Sequence, residues 1–378
     1  MFYKSTRGKD THVSFVDAVL QGLGSDGGLL IPEQVPKITP QEWEEWRSLS
    51  YRPLACRVLR KFISPTEISD GELQKQDYSS SPGLVEDAYG NFRDHELTPV
   101  KRVLELFHGP TFAFKDLALQ LLGPLFELCL QRKHKQLLIL GATSGDTGSA
   151  AIAGVKGRKN IKCVILYPHG RTSKIQELQM TTTADENIHC LAVKGNFDDC
   201  QNIVKGIMNS PLKEELSIGA VNSINWARIL AQIVYYAYAT ARIQEKENCS
   251  LVDFVVPTGN FGDILAGYRP PYYCRMMGAP IGRLVIASNQ NDILPRFFET
   301  GTYSYHDEVL PSLSPSMDIA SVLQISSNFE RFLYYLFEGD TKRLNEKIKD
   351  LRTKKAFSVT PQELDRARQE FAAYCVDE

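Results

Sequence analysis

The sequence predicts an α/β protein built on mostly parallel sheet, and three observations carry this. From about residue 96 onward, short apolar runs of strand length alternate with stretches of helical spacing. Two of those runs end in glycine-rich turns, at 141–149 and 258–263, where a strand would feed a helix. A length of 378 residues, 43% of them hydrophobic and 23% charged, gives enough core for two or three domains.

Residues 1–95 read as a separate N-terminal unit that is more scaffold than chemistry. They open on Tyr3-Lys4-Ser5-Thr6-Arg7-Gly8, continue through a helix-like VSFVDAVLQGL, and reach a turn where Gly24, Gly27 and Gly28 surround Asp26. So many glycines about one aspartate imply a tight backbone path. Next, ITPQEWEEWRSLSYRPLACRVLRKFI has helical spacing, with Trp43, Trp46, Leu49 and Leu54 as core candidates and helix-start signals at Thr39-Pro40 and Ser64-Pro65.

Residues 104–120, LELFHGPTFAFKDLALQ, set one lysine apart. Lys115 closes an aromatic turn opened by Gly109-Pro110, and Asp116 reads as the N-cap of an amphipathic helix. Desolvation and the positive end of a helix both favour an uncharged amine at such a position, and Schiff-base chemistry requires one. The alternative is a lysine that snorkels from a helix start into solvent.

The strands then follow in turn. QLLILGA leads through GATSGDTGSA into the helix AAIAGV; KCVILYP (162–168) and HCLAVKG (189–195) are two more strands, with SKIQELQMTT a helix between them. Asp198-Asp199-Cys200-Gln201 opens another helix, and INWARILAQIVYYAYATARI forms a long one. VDFVVP (252–257) is a strand, 258–263 a turn, ILAGY a helix start and RLVIAS (283–288) a further strand.

In the first glycine turn, Thr143, Ser144, Thr147 and Ser149 put hydroxyls beside the N–H groups of a helix start, which suits a carboxylate or phosphate. A generic strand-to-helix turn would look the same. The spacing fits neither a Walker loop nor a dinucleotide turn. The second turn, PTGNFGDILAG, repeats the logic, with Gly259 and Gly262 flanking Asn260 and Phe261. Two anion cradles and a lysine in an aromatic turn are the parts that pyridoxal 5'-phosphate and an amino-acid substrate would need.

A net charge of −2 argues against nucleic acid as a partner. The eight cysteines have no CxxC pair or regular spacing, so reduced thiols are expected rather than a disulfide framework or zinc site. MFYKSTRGKD lacks an apolar signal core, and no run is long enough to span a bilayer. The expectation is a cytoplasmic protein acting on small molecules, away from membranes; the oligomeric state stays open.

FHGPTFAFKD, ATSGDTGSAA, YPHGRTSKIQELQMTT, GNFDDCQNIVK, VNSINWARILAQ, PTGNFGDILAGY, SPSMDI and SNFERFL, together with the opening YKSTRG and SDGGL, cover nearly the whole chain. In this order they resemble the threonine synthase family, and within it the animal threonine synthase-like 2 proteins. The resemblance implies the fold type II pyridoxal-phosphate architecture: two parallel-sheet α/β domains of the tryptophan synthase beta-like kind with a small N-terminal domain. Its domains would be 1–95; a large cofactor-binding domain from 96–131 and 221–312; a small domain 132–220; and an incomplete helical extension 313–378.

The resemblance also implies roles. Lys115 would carry the cofactor, and Gly259, Asn260, Phe261, Gly262 and Asp263 would hold its phosphate. Thr143, Ser144, Gly145, Asp146 and Thr147 would bind the substrate carboxylate and flank the cofactor's 3-hydroxyl, with Asp146 standing where many relatives of the fold type have asparagine. Lys174, Ser223, Asn225 and Arg228 would take the substrate phosphate, Arg228 by its two-pronged fork or else as a salt-bridge arginine. His108 is expected to order the turn before Lys115, and Cys200 to pack beside Asp199.

The implied reaction is removal of phosphate from O-phosphohomoserine or a similar amino acid. A phospho-lyase giving 2-oxobutyrate, ammonia and phosphate is the leading expectation, and a threonine synthase the alternative. A third reading is a C-terminally truncated isoform with a non-catalytic or signalling role, favoured by where the chain ends; a second departure suggests an isoform. The chain ends at Cys375-Val376-Asp377-Glu378, before a Pro-His segment that the resemblance leads one to expect, and Arg269-Pro270-Pro271-Tyr272-Tyr273-Cys274 interrupts the helix after GDILAGY.

Overall fold

The computed structural model describes residues 1–74, 84–89, 102–143, 145–219, 221, 223–268, 278–289, 291–304 and 326–375. The N-terminal region opens with β1 (Tyr3–Ser5), α1 (Phe15–Gln21) and β2 (Leu30–Pro32). The tryptophan-rich stretch is two helices, α2 (Pro40–Arg47) and α3 (Tyr51–Phe62), with Trp43, Trp46 and Leu54 buried and Leu49 only half-buried. Thr39 starts α2 with a reciprocal capping box to Glu42, and Pro40 takes the first helical position, where no N–H is needed. The expected second start at Ser64-Pro65 is instead a turn, closed by Glu67 N–H to the Ser64 carbonyl. The next helix, α4 (Asp70–Leu73), is capped five residues later by Ser69.

Beyond α5 (Leu84–Tyr89) the chain alternates strand and helix: α6 (Lys115–Lys133), β3 (Leu137–Ala142), α7 (Asp146–Val155), β4 (Ile161–Pro168), α8 (Lys174–Thr181), β5 (Ile188–Val193), α9 (Phe197–Met208), α10 (Leu212–Glu215), β6 (Ile218–Gly219), α11 (Trp226–Glu247), β7 (Val252–Pro257), α12 (Gly262–Gly267) and β8 (Ile281–Ser288). The chain continues with α13 (Ile293–Thr300), β9 (Thr302–Ser304), α14 (Phe329–Leu336), α15 (Thr341–Lys354), β10 (Ala356–Ser358), α16 (Pro361–Glu370) and β11 (Phe371–Cys375). Asn196 and Asn225 cap α9 and α11, as short polar side chains do at helix starts.

Two compact units divide these elements. One comprises Val19–Gly22 and Ile63–Asn222. Its sheet has the order β5-β4-β3-β6, parallel throughout, with Leu137 opposite Ile161 and Cys163 opposite Ile188. Leu140, Leu166, Ile218 and Cys200 pack into one core cluster beneath it. The other unit comprises Met1–Ala18, Leu23–Phe62 and Ser223–Glu378, and its sheet has the parallel order β11-β8-β7. Antiparallel pairs β1-β2 and β9-β10 complete it.

The fold class is therefore as expected, α/β on parallel sheets. The C-terminal stretch differs in one respect: its described part is not wholly helical, because β11 pairs with β8. Phe371 is drawn there by burial among Phe261, Tyr268, Phe298 and Phe332. Among the described residues, no helix is long and apolar enough to cross a membrane.

Candidate active site

One group of candidate residues lies in the β5-β4-β3-β6 unit. Lys115 is the first residue of α6 and is buried, with 5% of its surface exposed. Its Nζ lies 4.0 Å from Asp146 Oδ2 and 5.9 Å from the centre of the Phe114 ring. Asp116 is not the N-cap: Phe114 holds that position, and Asp116 sits in the first helical turn. From there its carboxylate reaches back, accepting from Thr111 N–H at 2.8 Å, Thr111 Oγ1 at 2.7 Å and Ala113 N–H at 3.4 Å. The aromatic turn before Lys115 is thereby pinned to the helix it precedes. Burial pushes the Asp116 carboxyl above its ordinary value, the Thr111 and Ala113 donors counter this in part, and the Asp146 charge adds to the rise.

Asp146 opens α7, directly after Gly145. Gln176 of α8 donates from Nε2 to Asp146 Oδ1, leaving Oδ2 on the Lys115 side. A methyl group on Gly145 would overlap the Gln176 amide, so this approach requires glycine. Thr143 Oγ1 accepts from the Gly145 and Gly148 N–H groups, both at 3.0 Å, and donates to the Gly145 carbonyl. Helices α6 and α7 meet backbone to backbone: a methyl on Gly123 would overlap the Gly154 carbonyl, and one on Gly154 would crowd the Leu119 carbonyl. This close crossing sets the spacing between the helix that carries Lys115 and the helix that carries Asp146.

A separate group of candidate residues lies in the other unit, in the turn between β7 and α12. Phe261 has φ 62°, a left-handed conformation that costs a side-chain-bearing residue about 1–2 kcal/mol. Its ring is buried edge-on against Phe329 at 5.2 Å and beside Phe332 and Phe371. Burial of a phenylalanine contributes roughly 1.5–3 kcal/mol, enough to offset that strain. Asp263 turns away from the loop to accept from Tyr235 Oη at 2.6 Å and Tyr236 Oη at 3.0 Å, which anchors α12 on α11. Its charge, after burial, helps push the Tyr235 phenol well above its ordinary range.

The rear of the loop is held by residues that sequence reasoning did not assign. Ser326 Oγ donates to the Gly259 carbonyl at 2.6 Å, Ser327 Oγ to Asn260 Oδ1 at 3.2 Å, and Asn328 N–H to the Asn260 carbonyl at 3.0 Å. Ser327 also contacts Ser223 Oγ at 3.1 Å, which brings Ser223 to the loop. The motif SNFERFL was a signal for these residues, yet nothing local in it names the loop 65 or more positions upstream as their partner.

The expected site residues other than Ser144 fall into two groups. In one unit, Lys115, Asp146, Gly145 and Thr143 come together, with Thr147 half-buried in the first turn of α7. Lys174 opens α8 but is mostly exposed and pairs with Glu177 at 3.9 Å. In the other unit, Gly259 to Asp263, Ser223, Asn225 and Arg228 cluster at the starts of α11 and α12; Asn225 accepts from Ala227 N–H as its cap, and Arg228 is buried. Ser144, residues 269–274, the SPSMDI motif and residues 376–378 lie outside the described residues. His108 turns to Glu105 at 2.8 Å, and Cys200 is core, its thiol pushed up by burial and then by Asp199. Among the described residues, no cluster of His, Cys, Asp and Glu could hold a metal ion.

Residues 100–339 match the family of pyridoxal-phosphate dependent enzymes, and with the parallel sheets and the buried lysine they define a fold type II enzyme of that class. Residues 2–80 match the threonine synthase N terminus. The chain is 46% identical to a threonine synthase of Schizosaccharomyces pombe, covering 98% of this chain and 76% of that protein. It is 37% identical to threonine synthase-like 2 of Xenopus laevis, covering 96% and 74%. The crystal structure of pyridoxal-phosphate-bound threonine synthase from Brucella melitensis superposes with a TM-score of 0.90 at 42% identity, covering 99% of this chain and 78% of that one. The chain belongs to the threonine synthase family.

Its cofactor is pyridoxal phosphate, and the residues present fit that group. Lys115 offers a buried primary amine beside a fixed carboxylate. The 258–263 turn is the second candidate holder, closely packed at its rear: a methyl on Gly262 would come within 3.1 Å of Asn328 Nδ2. When bound, the cofactor supplies an electron sink for negative charge at the substrate Cα.

Proposed function

We propose that this enzyme is a threonine synthase, releasing phosphate from Cγ of O-phosphohomoserine and adding water at Cβ. One observation carries the choice: identity to the fission-yeast threonine synthase is 46%, against 37% for threonine synthase-like 2 over a similar share of the chain. The sequence alone ranks the phospho-lyase outcome first, because the motifs around Lys115 serve both reactions. The higher identity reverses that order.

In this reading Lys115 carries the cofactor and moves the proton at substrate Cα, as a buried amine on a rigid helix start is suited to do. Asp146, oriented by Gln176, faces the cofactor's 3-hydroxyl. Thr143 shapes the turn in which Ser144, Gly145 and Thr147 receive the substrate carboxylate. Gly259, Asn260, Phe261 and Gly262 hold the cofactor phosphate, with Asp263 as the anchor of their loop. Ser223, Asn225 and Arg228 take the substrate phosphate, and the exposed Lys174 supplies a further positive charge. We further propose the domain division 1–95, 96–131 with 221–312, 132–220 and 313–378, and the cytoplasm as the compartment, on the absence of any paired cysteine motif.

Product analysis tests the reaction. Purified protein with pyridoxal phosphate and O-phosphohomoserine should release phosphate and threonine in equal amounts. Phosphate accompanied by 2-oxobutyrate and ammonia would return the phospho-lyase to first place.

A further inference from the structure

Arg331 is fully buried, and its donors go to three separate stretches of chain. Nη1 donates to Asn328 Oδ1; Nη2 donates to the carbonyls of Leu30 at 2.9 Å and Ile224 at 2.6 Å; Nε reaches Leu30 again at 3.2 Å. Asn328, equally buried, extends the grip. Its Nδ2 donates to the carbonyls of Ser223 at 3.2 Å and Asn260 at 3.3 Å, and its backbone N–H takes the Asn260 carbonyl as well. The Arg331 guanidinium thus ties β2, the segment before α11 and Asn328 together, and Asn328 carries the tie on to the turn before α12.

The direction of these bonds matters. In a trans peptide the carbonyl of one residue and the N–H of the next point opposite ways. Holding the Asn260 carbonyl from behind therefore turns the Phe261 N–H away from Asn328, toward the opposite side of the turn. Turns that present backbone N–H groups in this way bind phosphate. The same pair holds the carbonyls of Ser223 and Ile224, so it also fixes where α11 begins, and with it Arg228.

We propose that Arg331 and Asn328 are positioning residues that set the aim of the cofactor-phosphate turn and its spacing from the 223–228 segment, and so govern affinity for both the cofactor phosphate and the substrate phosphate. This rests on the function proposed above. A lysine could not replace Arg331, since a single ammonium lacks the planar fork that reaches these acceptors from one position.

The test compares Asn328→Ala, Asn328→Asp and Arg331→Lys with Arg7→Gln. The last breaks the bidentate pair between Arg7 and Glu330, whose 2.7 Å contact is beside this network but makes no bond to the turn. Apoprotein is titrated with pyridoxal phosphate by visible absorbance, urea unfolding is recorded, and KM for O-phosphohomoserine is measured. The Asn328 variants and Arg331→Lys should each raise the cofactor dissociation constant about tenfold or more, the effect of losing one or two buried hydrogen bonds, and should raise KM. Arg7→Gln should lower the urea midpoint while leaving cofactor affinity within about twofold. Folded Asn328 variants that bind cofactor and substrate as tightly as the unmodified protein would overturn the proposal. If the unmodified protein itself fails to bind pyridoxal phosphate, the functional reading falls, and this inference with it.

Discussion

Asp146 faces Lys115 across 4.0 Å, and Gln176 holds the carboxylate of Asp146 by its other oxygen. Replacing Gln176 with leucine keeps its bulk and removes the donor, so the carboxylate loses its fixed orientation. We expect kcat to fall about tenfold while the cofactor stays attached, a loss on the scale of one hydrogen bond to a charged group. Steady-state kinetics with a visible spectrum of the same sample checks this. Gly145→Ala should act in the same direction, because the new methyl displaces Gln176.

The backbone contact between α6 and α7 makes a sharper stability prediction. Gly123→Ala forces a methyl against the Gly154 carbonyl and should destabilise the protein by about 3 kcal/mol. Gly71→Ala, where nothing lies within 4 Å, should instead be neutral or stabilise by up to about 1 kcal/mol. Urea unfolding of the two variants side by side measures the contrast.

These contacts mark the boundary of what could be read from the sequence. Strands β3, β4, β5, β7 and β8 were legible because each is a short, largely apolar run bounded by turn residues. Lys115 and both glycine turns were legible because their composition is local. The strand β11 was not: FAAYC follows α16 without a break, and only pairing with β8, more than eighty residues upstream, makes it extended. The N-cap lies at Phe114, two positions before the expected Asp116, for a related reason. An aspartate at a helix start satisfies N–H groups either ahead of it or behind it, and here the turn at Thr111 supplies the donors. The support of the turn by Ser326, Ser327 and Asn328 is entirely non-local.

The raised carboxyl of Asp116 has a defined pH signature. In the folded protein it holds its proton above the ordinary 3.8, so the folded state binds more protons than the unfolded one in the window upward from that value. Stability contributed by the protonated form is therefore present below 3.8 and is lost as pH rises through the folded value. Asp116→Asn should remove this fall, at a cost of about 1 kcal/mol from the lost acceptor. Urea midpoints between about pH 4 and about pH 7 should then differ less in the variant than in the unmodified protein.

Phe261 combines a left-handed backbone with a buried ring, and the two can be separated. Phe261→Ala should lose about 3–5 kcal/mol of packing. Phe261→Gly loses the same ring but relieves the strain, so it should be the more stable of the two by about 1 kcal/mol. Thermal unfolding of both variants gives the difference directly.

The central claim is that Lys115 carries the cofactor. The purified protein, loaded with pyridoxal phosphate, should be reduced with borohydride, digested and mapped by mass spectrometry. We expect one reduced cofactor adduct, on the peptide containing Lys115, and none in Lys115→Ala. A folded protein that shows no adduct, or carries it on another lysine, would contradict the account.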